Sequence, residues 1–577
     1  MDRRGKISLV AFGLATVVAA AVLFGWRIAG LATLDPWGDQ FFQIDWVRSL
    51  LAADHGLPRA TAGQSWLAAL KTDDGSAAHV VLAHVYAAHN LILTLASVAW
   101  FGLWGLLVGG KADAQAAIGI ATHGLMVLAL AWLPVLAGFG RSRGEGLAVG
   151  LLAFLFAAGS STLQVFATIG FHNFALLLMV VSLVFGERWL AVLAEGGPAG
   201  RRGVQLLAVQ TVALYAYFTN VFFLPSAVIL AVLAIPGLSW ACRLKAAGFH
   251  ALGTALTLVP LPALMAVTLW DRGGAETNQD FVGWLLWAFV NGDSLGTGPL
   301  GRAIGWFANL SSLFSPAGLA LGLAGLAGLA AVRGRRLPLA LVAAHWLAGI
   351  VVPPFYGHGS RTAVYVLPLL CLGIAWALVA AARPLVFGAA RRPAWRGAVL
   401  AVTAGLAVVH AAGEAGGWRA PRSVPPWTFD GRREGRWQGL VAALDARLPI
   451  GAVVVPSDYG TRYAVRALSR RIGGDLEVFR PLDVLYGAAR AGRLPAYLAE
   501  RGLTVAEHAP VYLLVSPLVP RDGLEVQMGA VLGGMRRDTL AAPSVTLRPV
   551  AWGGGVLFEV DVAPAGGAGR PAPHVER

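Results

Sequence analysis

The sequence predicts an α-helical polytopic membrane protein of about eleven spans that ends in an extracytoplasmic α/β domain. Three observations predict this fold class. Of the 577 residues, 57% are hydrophobic and only 13% are charged, which is more apolar than a soluble core requires. Apolar runs of about 20 residues, enough to cross the hydrocarbon core, recur along residues 1–413. From residue 414 onward the composition reverts to that of a soluble domain.

The first run, Ile7 to Trp26, follows Met1-Asp2-Arg3-Arg4-Gly5-Lys6, whose cations favour the cytoplasmic side. It lacks a small-residue cleavage site and reads as an uncleaved anchor. Further runs lie at about 88–109, 117–138, 147–166, 173–193, 204–234, 246–269, 313–332, 337–352, 362–382 and 398–413. The 204–234 run is long enough for one span or for two short helices broken near Thr219-Asn220, and the sides of the 141–146 and 195–203 loops stay open. An odd number of crossings puts the tail across the membrane from the N-terminus, on the side of the first loop. The expected organisation is a transmembrane domain at 1–413, with outer loops at about 27–87 and 271–312, and an extracytoplasmic α/β domain at 414–577.

Within the tail, Gly451 to Pro456 and Val511 to Ser516 read as buried strands and Leu482 to Arg501 as a helix. Val545 to Val562 reads as a hairpin around Gly553-Gly554-Gly555. Strands alternating with helices predict an α/β domain. The Pro-, Ala- and Gly-rich end is expected to be disordered.

The net charge of +14 is not a nucleic-acid footprint. Its excess sits in short loops (Arg243 and Lys245; Arg333, Arg335 and Arg336; Arg383, Arg391, Arg392 and Arg396), as in cytoplasmic loops meeting anionic lipid. Cys242 and Cys371 are the only cysteines and give neither a disulfide framework nor metal-ligand spacing. His79, His84 and His89 recur every five residues, which does not line one helical face, so no metal site is expected there. No nucleophile elbow, phosphate loop, HExxH or paired-cysteine motif is present. Gly322, Gly325 and Gly328 are spaced for close helix packing.

The chemistry-bearing residues gather at the outer boundary. Leu34-Asp35-Pro36-Trp37-Gly38-Asp39 follows the first span, and from Asp39 the apolar period Phe42, Trp46, Leu50 predicts an amphipathic helix lying in the interface. A carboxylate at an apolar boundary is suited to act as a general base. The alternative for Asp35 is an N-cap before Pro36, for Asp39 a cap of the same helix, and for Asp73 and Asp74 solvated loop charges. Pro353-Pro-Phe-Tyr-Gly-His358-Gly-Ser-Arg361 lies between two late spans, where an arginine holds phosphate bidentately or anchors a headgroup. Trp284, Trp287 and Trp306 suit either sugar stacking or an aromatic belt. His172-Asn173 joins two spans on a side left open.

Asp39-Gln40-Phe41-Phe42-Gln43-Ile44-Asp45-Trp46-Val47-Arg48-Ser49-Leu50 resembles the segment after the first span of the GT-C glycosyltransferases. These are the membrane family of the protein O-mannosyltransferases and the lipid A aminoarabinose transferase. Arg361-Thr-Ala-Val-Tyr365-Val-Leu-Pro368 is similar to the Arg-Tyr-x-x-Pro opening of a late span in the same enzymes, and the layout of spans, outer loops and tail is similar throughout. The chain departs in having Gln40 where a second acid is common, and Thr362-Ala-Val before Tyr365.

The resemblance implies a multi-pass protein of a bacterial inner membrane that transfers a sugar from a polyprenyl-phosphate donor, with inversion. Its acceptor would be an extracytoplasmic glycan, lipid or protein. It assigns the catalytic base to Asp39 and points to Arg361 and Tyr365 as substrate-binding residues, with the donor's lipid lying between helices among membrane lipid; the polar residues of the outer boundary add Asp35, Asp74, Arg302 and His358 as expected substrate-binding residues. No cofactor is called for; a divalent metal is compatible with the chemistry but nothing indicates one. The rival readings are a polysaccharide polymerase or ligase, a transporter, and a non-enzymatic receptor. Spans nearly free of charge weigh against a coupled transporter.

Overall fold

The computed structural model describes residues 3–29, 39–61, 63–66, 69–70, 75–80, 95–109, 112–166, 170–217, 219–260, 298–351, 363–387, 394–414, 437–457, 459–472, 475–490, 492, 494–499, 509–515, 522–535, 545–550 and 557–562. The chain forms two compact units. The first comprises Met1–Leu34, Val81–Thr268 and Asp280–Val424; the second comprises Asp35–Val80, Leu269–Gln279 and Pro425–Arg577.

The helices in chain order begin with α1 (Arg3–Ala29), α2 (Asp39–Leu51), which belongs to the second unit, and α3 (Leu95–Val108). The first unit continues with α4 (Ala112–Leu136), α5 (Arg143–Gly159), α6 (Ser161–Phe166), α7 (Gly170–Ala194), α8 (Gly200–Leu214), α9 (Thr219–Leu233) and α10 (Trp240–Leu258). It closes with α11 (Pro299–Phe314), α12 (Pro316–Arg333), α13 (Leu337–Val351), α14 (Leu367–Phe387) and α15 (Ala394–Gly413). Among the described residues, four stretches are both long and apolar enough to cross a membrane: Ile7–Ala29, Ala114–Leu136, His172–Ala194 and Pro316–Arg333. Shorter apolar helices at Phe223–Leu233, Leu337–Val351, Leu367–Arg383 and Gly397–Gly413 pack among them.

The 204–234 run is two helices, α8 and α9, parted at Tyr215–Tyr217. Backbone freed inside an apolar bundle needs partners, and they are supplied. The Ala96 N–H donates to the Tyr215 carbonyl at 2.8 Å, the Ser97 hydroxyl to that of Ala216 at 2.5 Å, and Asn220 Nδ2 to that of Ala213 at 2.8 Å. Small residues seat α12 on α14: a methyl at Gly325 would overlap the Gly373 carbonyl, and one at Gly373 the Gly322 carbonyl.

Helix α5 is tied to its neighbours at both ends. At its start Glu145 takes two hydrogen bonds from Arg383, at 2.7 and 2.9 Å, and one from the Arg141 N–H at 2.7 Å. Arg333 caps the nearby turn by donating to the Gly140 carbonyl at 2.9 Å. At the other end of α5, the Arg27 guanidinium donates to the Ala158 carbonyl, and Glu414 closes on Ser161. The C-terminal ends of α1 and α15 therefore meet the same α5–α6 junction.

The second unit is built on a five-stranded sheet of order β2-β1-β3-β5-β4, with β1 (Ala452–Pro456), β2 (Leu476–Val478), β3 (Val511–Leu514), β4 (Val545–Pro549) and β5 (Leu557–Val562). Strand β1 is parallel to β2 and β3, while β5 is antiparallel to β3 and to β4. Helices α16 (Trp437–Arg447) and α17 (Tyr459–Leu468) cover one face, meeting Ala452, Val454 and Leu514. Helices α18 (Leu482–Arg490), α19 (Leu494–Ala499) and α20 (Leu524–Met535) cover the other, meeting Val453, Val455 and Leu513. Burial on both faces explains why β1 reads as an unbroken run of Val rather than an alternation.

Two details differ from the expectation. The helix expected at Leu482 to Arg501 is divided, because Gly492 takes a left-handed φ of +66° that a helix cannot continue through. Strand β2 has three residues, too few to show a period. The Gly553-Gly554-Gly555 turn and residues 563–577 lie outside the described residues.

Helix α2 forms where the period starting at Asp39 predicted it. The helix packs along α17 within the second unit and buries Ile44, Trp46 and Val47; of the period Phe42, Trp46, Leu50 expected to lie in the interface, Trp46 is buried and Leu50 is half-buried.

Candidate active site

Of the residues singled out above, Asp35, Asp74, His358 and Arg361 lie outside the described residues. Asp39 is the first residue of α2, in the second unit. Arg302 and Tyr365 belong to the first unit, and both are buried.

Arg302 sits in the first turn of α11, behind Pro299 at the helix start. Its Nε donates to the Ile350 carbonyl at 2.9 Å, so the guanidinium caps the last turn of α13. A cation is well placed there, because the final carbonyls of a helix lack intrahelical donors and carry partial negative charge. Val351 ends α13, and the stretch that follows it in the chain carries His358 and Arg361.

Trp306, one turn after Arg302, donates its Nε1–H to His345 Nδ1 at 2.9 Å. Indole nitrogen only donates, so Nδ1 of His345 is unprotonated. The His345 ring lies 5.4 Å from that of Phe223, and the Phe223 ring 5.7 Å from that of Tyr365. Tyr365 stacks on Tyr217, with centroids 6.3 Å apart and planes within 2°. Its hydroxyl is 3.4 Å from His172 Nδ1, and the His172 ring stands edge-on to Tyr217 at 4.7 Å. A continuous line of rings thus joins Arg302 to Tyr365 through α11, α13, α9 and the start of α14.

Next to His172, Asn173 Oδ1 lies 3.3 Å from His123 Nδ1, and the His123 ring is edge-on to Phe24, over which Arg27 is stacked. The polar end of the bundle is therefore a connected set. Among the described residues no cluster of His, Cys, Asp and Glu could hold a metal ion. His79, the one described member of the five-residue repeat, faces the Leu70 carbonyl at 2.9 Å.

No family model matches this sequence, and no curated protein does. Solved structures match across nearly the whole chain. ArnT from Cupriavidus metallidurans bound to undecaprenyl phosphate aligns over 97% of this chain and 99% of its own, with a TM-score of 0.52 and 14% identity. The apo oligosaccharyltransferase of Archaeoglobus fulgidus aligns over 90% of this chain and 71% of its own, with a TM-score of 0.50 and 13% identity. This is the GT-C fold.

Within that GT-C fold, Tyr365 and Arg302 both lie on the line of rings described above, Arg302 in the first turn of α11 and Tyr365 just before α14. His345, Phe223 and Tyr217 were not legible in the sequence, since each sits in a run that reads as plain span. The signal that would have found His345 is its ionisable ring inside Leu341-Val-Ala-Ala-His345-Trp-Leu: such residues in a span face the bundle interior and partner one another. His172 reads in the sequence as a span edge, and only the bundle shows which residues surround it. Trp306 is a buried hydrogen-bonded residue of α11; Trp284 and Trp287 lie outside the described residues.

Proposed function

We propose that this protein is an inverting glycosyltransferase that moves a sugar from a polyprenyl-phosphate donor to an acceptor hydroxyl on the outer side of a bacterial inner membrane. The observation that carries this reading is the near full-length match to ArnT, a protein whose structure holds undecaprenyl phosphate. In the reaction, Asp39 takes the proton of the acceptor hydroxyl while that oxygen bonds to the anomeric carbon. The bond from that carbon to the phosphate oxygen breaks in the same displacement, and polyprenyl phosphate leaves. One displacement inverts the anomeric centre, so no nucleophilic carboxylate is needed.

The leaving phosphate needs compensating charge in a place where water is scarce. Arg361 would grip it, with His358 beside it in the chain and Arg302 ordering the end of α13 from which that loop departs. Tyr365 and the rings around it would wall the donor site, and Asp35 and Asp74 would meet the acceptor or sugar hydroxyls. The charge distribution supports the orientation. Arg141, Arg143, Arg333, Arg335, Arg336 and Arg383 gather at the end of the bundle opposite the Arg27–Ala158 contact, which suits a cytoplasmic face.

Mass spectrometry of envelope glycans and glycolipids tests the reading. A strain lacking the protein should lose one sugar substituent and retain the polyprenyl-phosphate-linked form of that sugar. Unchanged glycans together with an unchanged pool of polyprenyl-linked sugars would overturn it.

A further inference from the structure

The helix that Asp39 opens is held at its far half by a clamp built on the C-terminal domain. Arg48 lies nine residues on, about 14 Å along the helix at 1.5 Å per residue. Its two terminal nitrogens reach separate acceptors: Nη1 donates to the Arg466 carbonyl and Nη2 to the Ser469 carbonyl, each at 2.9 Å. These are carbonyls at the C-terminal end of α17, which have no donor within their own helix. A guanidinium there satisfies both and opposes the negative end of the helix dipole.

The contact is reciprocal and continues into the domain. Arg466 Nη2 lies 3.4 Å from the Ser49 hydroxyl of α2. The Ser469 hydroxyl donates to Asp445 of α16 at 2.5 Å, and Asp445 also accepts the Arg470 N–H at 2.8 Å. Arg471 then ties the end of α16 down, donating to the carbonyls of Leu448 at 2.7 Å and Asp445 at 3.0 Å. Between these polar ties, Ile44 and Val47 are wholly buried. A chain of side chain-to-helix-end bonds thus runs from α2 through α17 to α16, all within the second unit.

We propose that Arg48 is a positioning residue: by clamping α2 to the end of α17 it fixes the direction in which the helix presents Asp39, so that the C-terminal domain is the mount of the catalytic helix. The inference rests on the reading of Asp39 as the base. A mount matters because a general base displaced by about 1 Å can cost about 10²-fold in rate. Arginine is required rather than any cation, because two carbonyls at the end of α17 need a planar fork, and the single ammonium of lysine offers a point charge.

The test uses the full-length protein with Cys242→Ser and two reporters in the second unit, Gln40→Cys near the start of α2 and Val526→Cys on α20. Spin labels at these positions should give a narrow distance distribution, broadened by Arg48→Met and less so by Arg48→Lys. Turnover is measured without the reporters, using the polyprenyl-linked sugar identified from the deletion strain. Arg48→Met should lower kcat about 10- to 100-fold with donor KM within about twofold, and Arg48→Lys should recover part of the loss. Arg48→Gln, which keeps one donor, serves if the Met variant does not fold, and should fall between.

A purely structural Arg48 would lower the thermal midpoint while the folded fraction kept its kcat; that result, or an unchanged narrow distribution, overturns the proposal. Asp39→Asn separates the two readings. If it retained turnover the base would be misassigned, and a positioning role towards that base would fall with it whatever Arg48→Met did. If Asp39→Asn abolished turnover and Arg48→Met did not change it, the base would stand and the mount would fall.

Discussion

Glu414 Oε2 accepts two hydrogen bonds from Ser161, one from the backbone N–H at 2.6 Å and one from the hydroxyl at 2.8 Å. Glu414 follows the last residue of α15, and Ser161 is the first of α6, so one carboxylate joins the exit of the helical unit to the junction that Arg27 also reaches. Removing it leaves a half-buried donor without its acceptor, which costs at most about 1–3 kcal/mol. Glu414→Ala should therefore lower the thermal midpoint of the protein in detergent, and Glu414→Gln, which keeps an acceptor oxygen, should lower it less. Equal midpoints for the Ala variant and the native protein would show the contact to be energetically idle.

Asp39→Asn should abolish transfer while expression, folding and helical content stay as in the native protein. Loss of a general base costs about 10²–10⁴-fold in rate. The measurement is turnover of purified protein with a polyprenyl-linked sugar, and near-native turnover would remove Asp39 from the role of base.

Arg361→Lys should weaken donor affinity and turnover together, and Arg361→Ala should be worse. A guanidinium grips two phosphate oxygens in one plane, whereas an ammonium does not. An arginine that merely anchored a headgroup would tolerate lysine, so equal kinetics across donor concentrations would exclude it from the phosphate site.

Gly325→Ala should destabilise the helical unit by about 1–3 kcal/mol, the range for overpacking a closed contact. The added methyl would meet the Gly373 carbonyl and push α12 off α14, the helix that follows Tyr365. Gly405→Ala on α15, where nothing would meet the methyl, is the control and should be close to neutral. The reading is the difference between their unfolding midpoints.

Burial raises the carboxyl pKa of Glu477 on β2 above its usual value. A raised folded-state pKa means that the native state binds the proton more tightly than the unfolded chain. The stabilisation is thus fully present below the unfolded value, about 4.3, and is lost as pH rises through the folded one. Glu477→Gln should slow hydrogen exchange in β1 and β2 at neutral pH, and the difference from the native protein should shrink as pH falls towards about 4. A difference that grew on acidification would reverse the sign and refute the assignment.

The sequence by itself determined what local chemistry can encode. Long apolar runs specify helices that only a bilayer or a bundle can bury, and the valine run at Ala452 to Pro456 specifies a buried strand. The period from Asp39 specifies α2, and short polar signatures mark Asp39, Arg302 and Tyr365. Tertiary structure decided what depends on partners distant in the chain. It split the 204–234 run, because Ala96, Ser97 and Asn220 are there to satisfy the broken backbone. It packed α2 along α17 and buried Ile44, Trp46 and Val47, because a protein surface with two carbonyls for Arg48 was available. It also gathered His172, Tyr217, Phe223, His345 and Tyr365 into one line, although each reads in sequence as part of a separate span or its edge. Periodicity records which face of an element is apolar, but the surface that covers that face is chosen only when the whole chain packs.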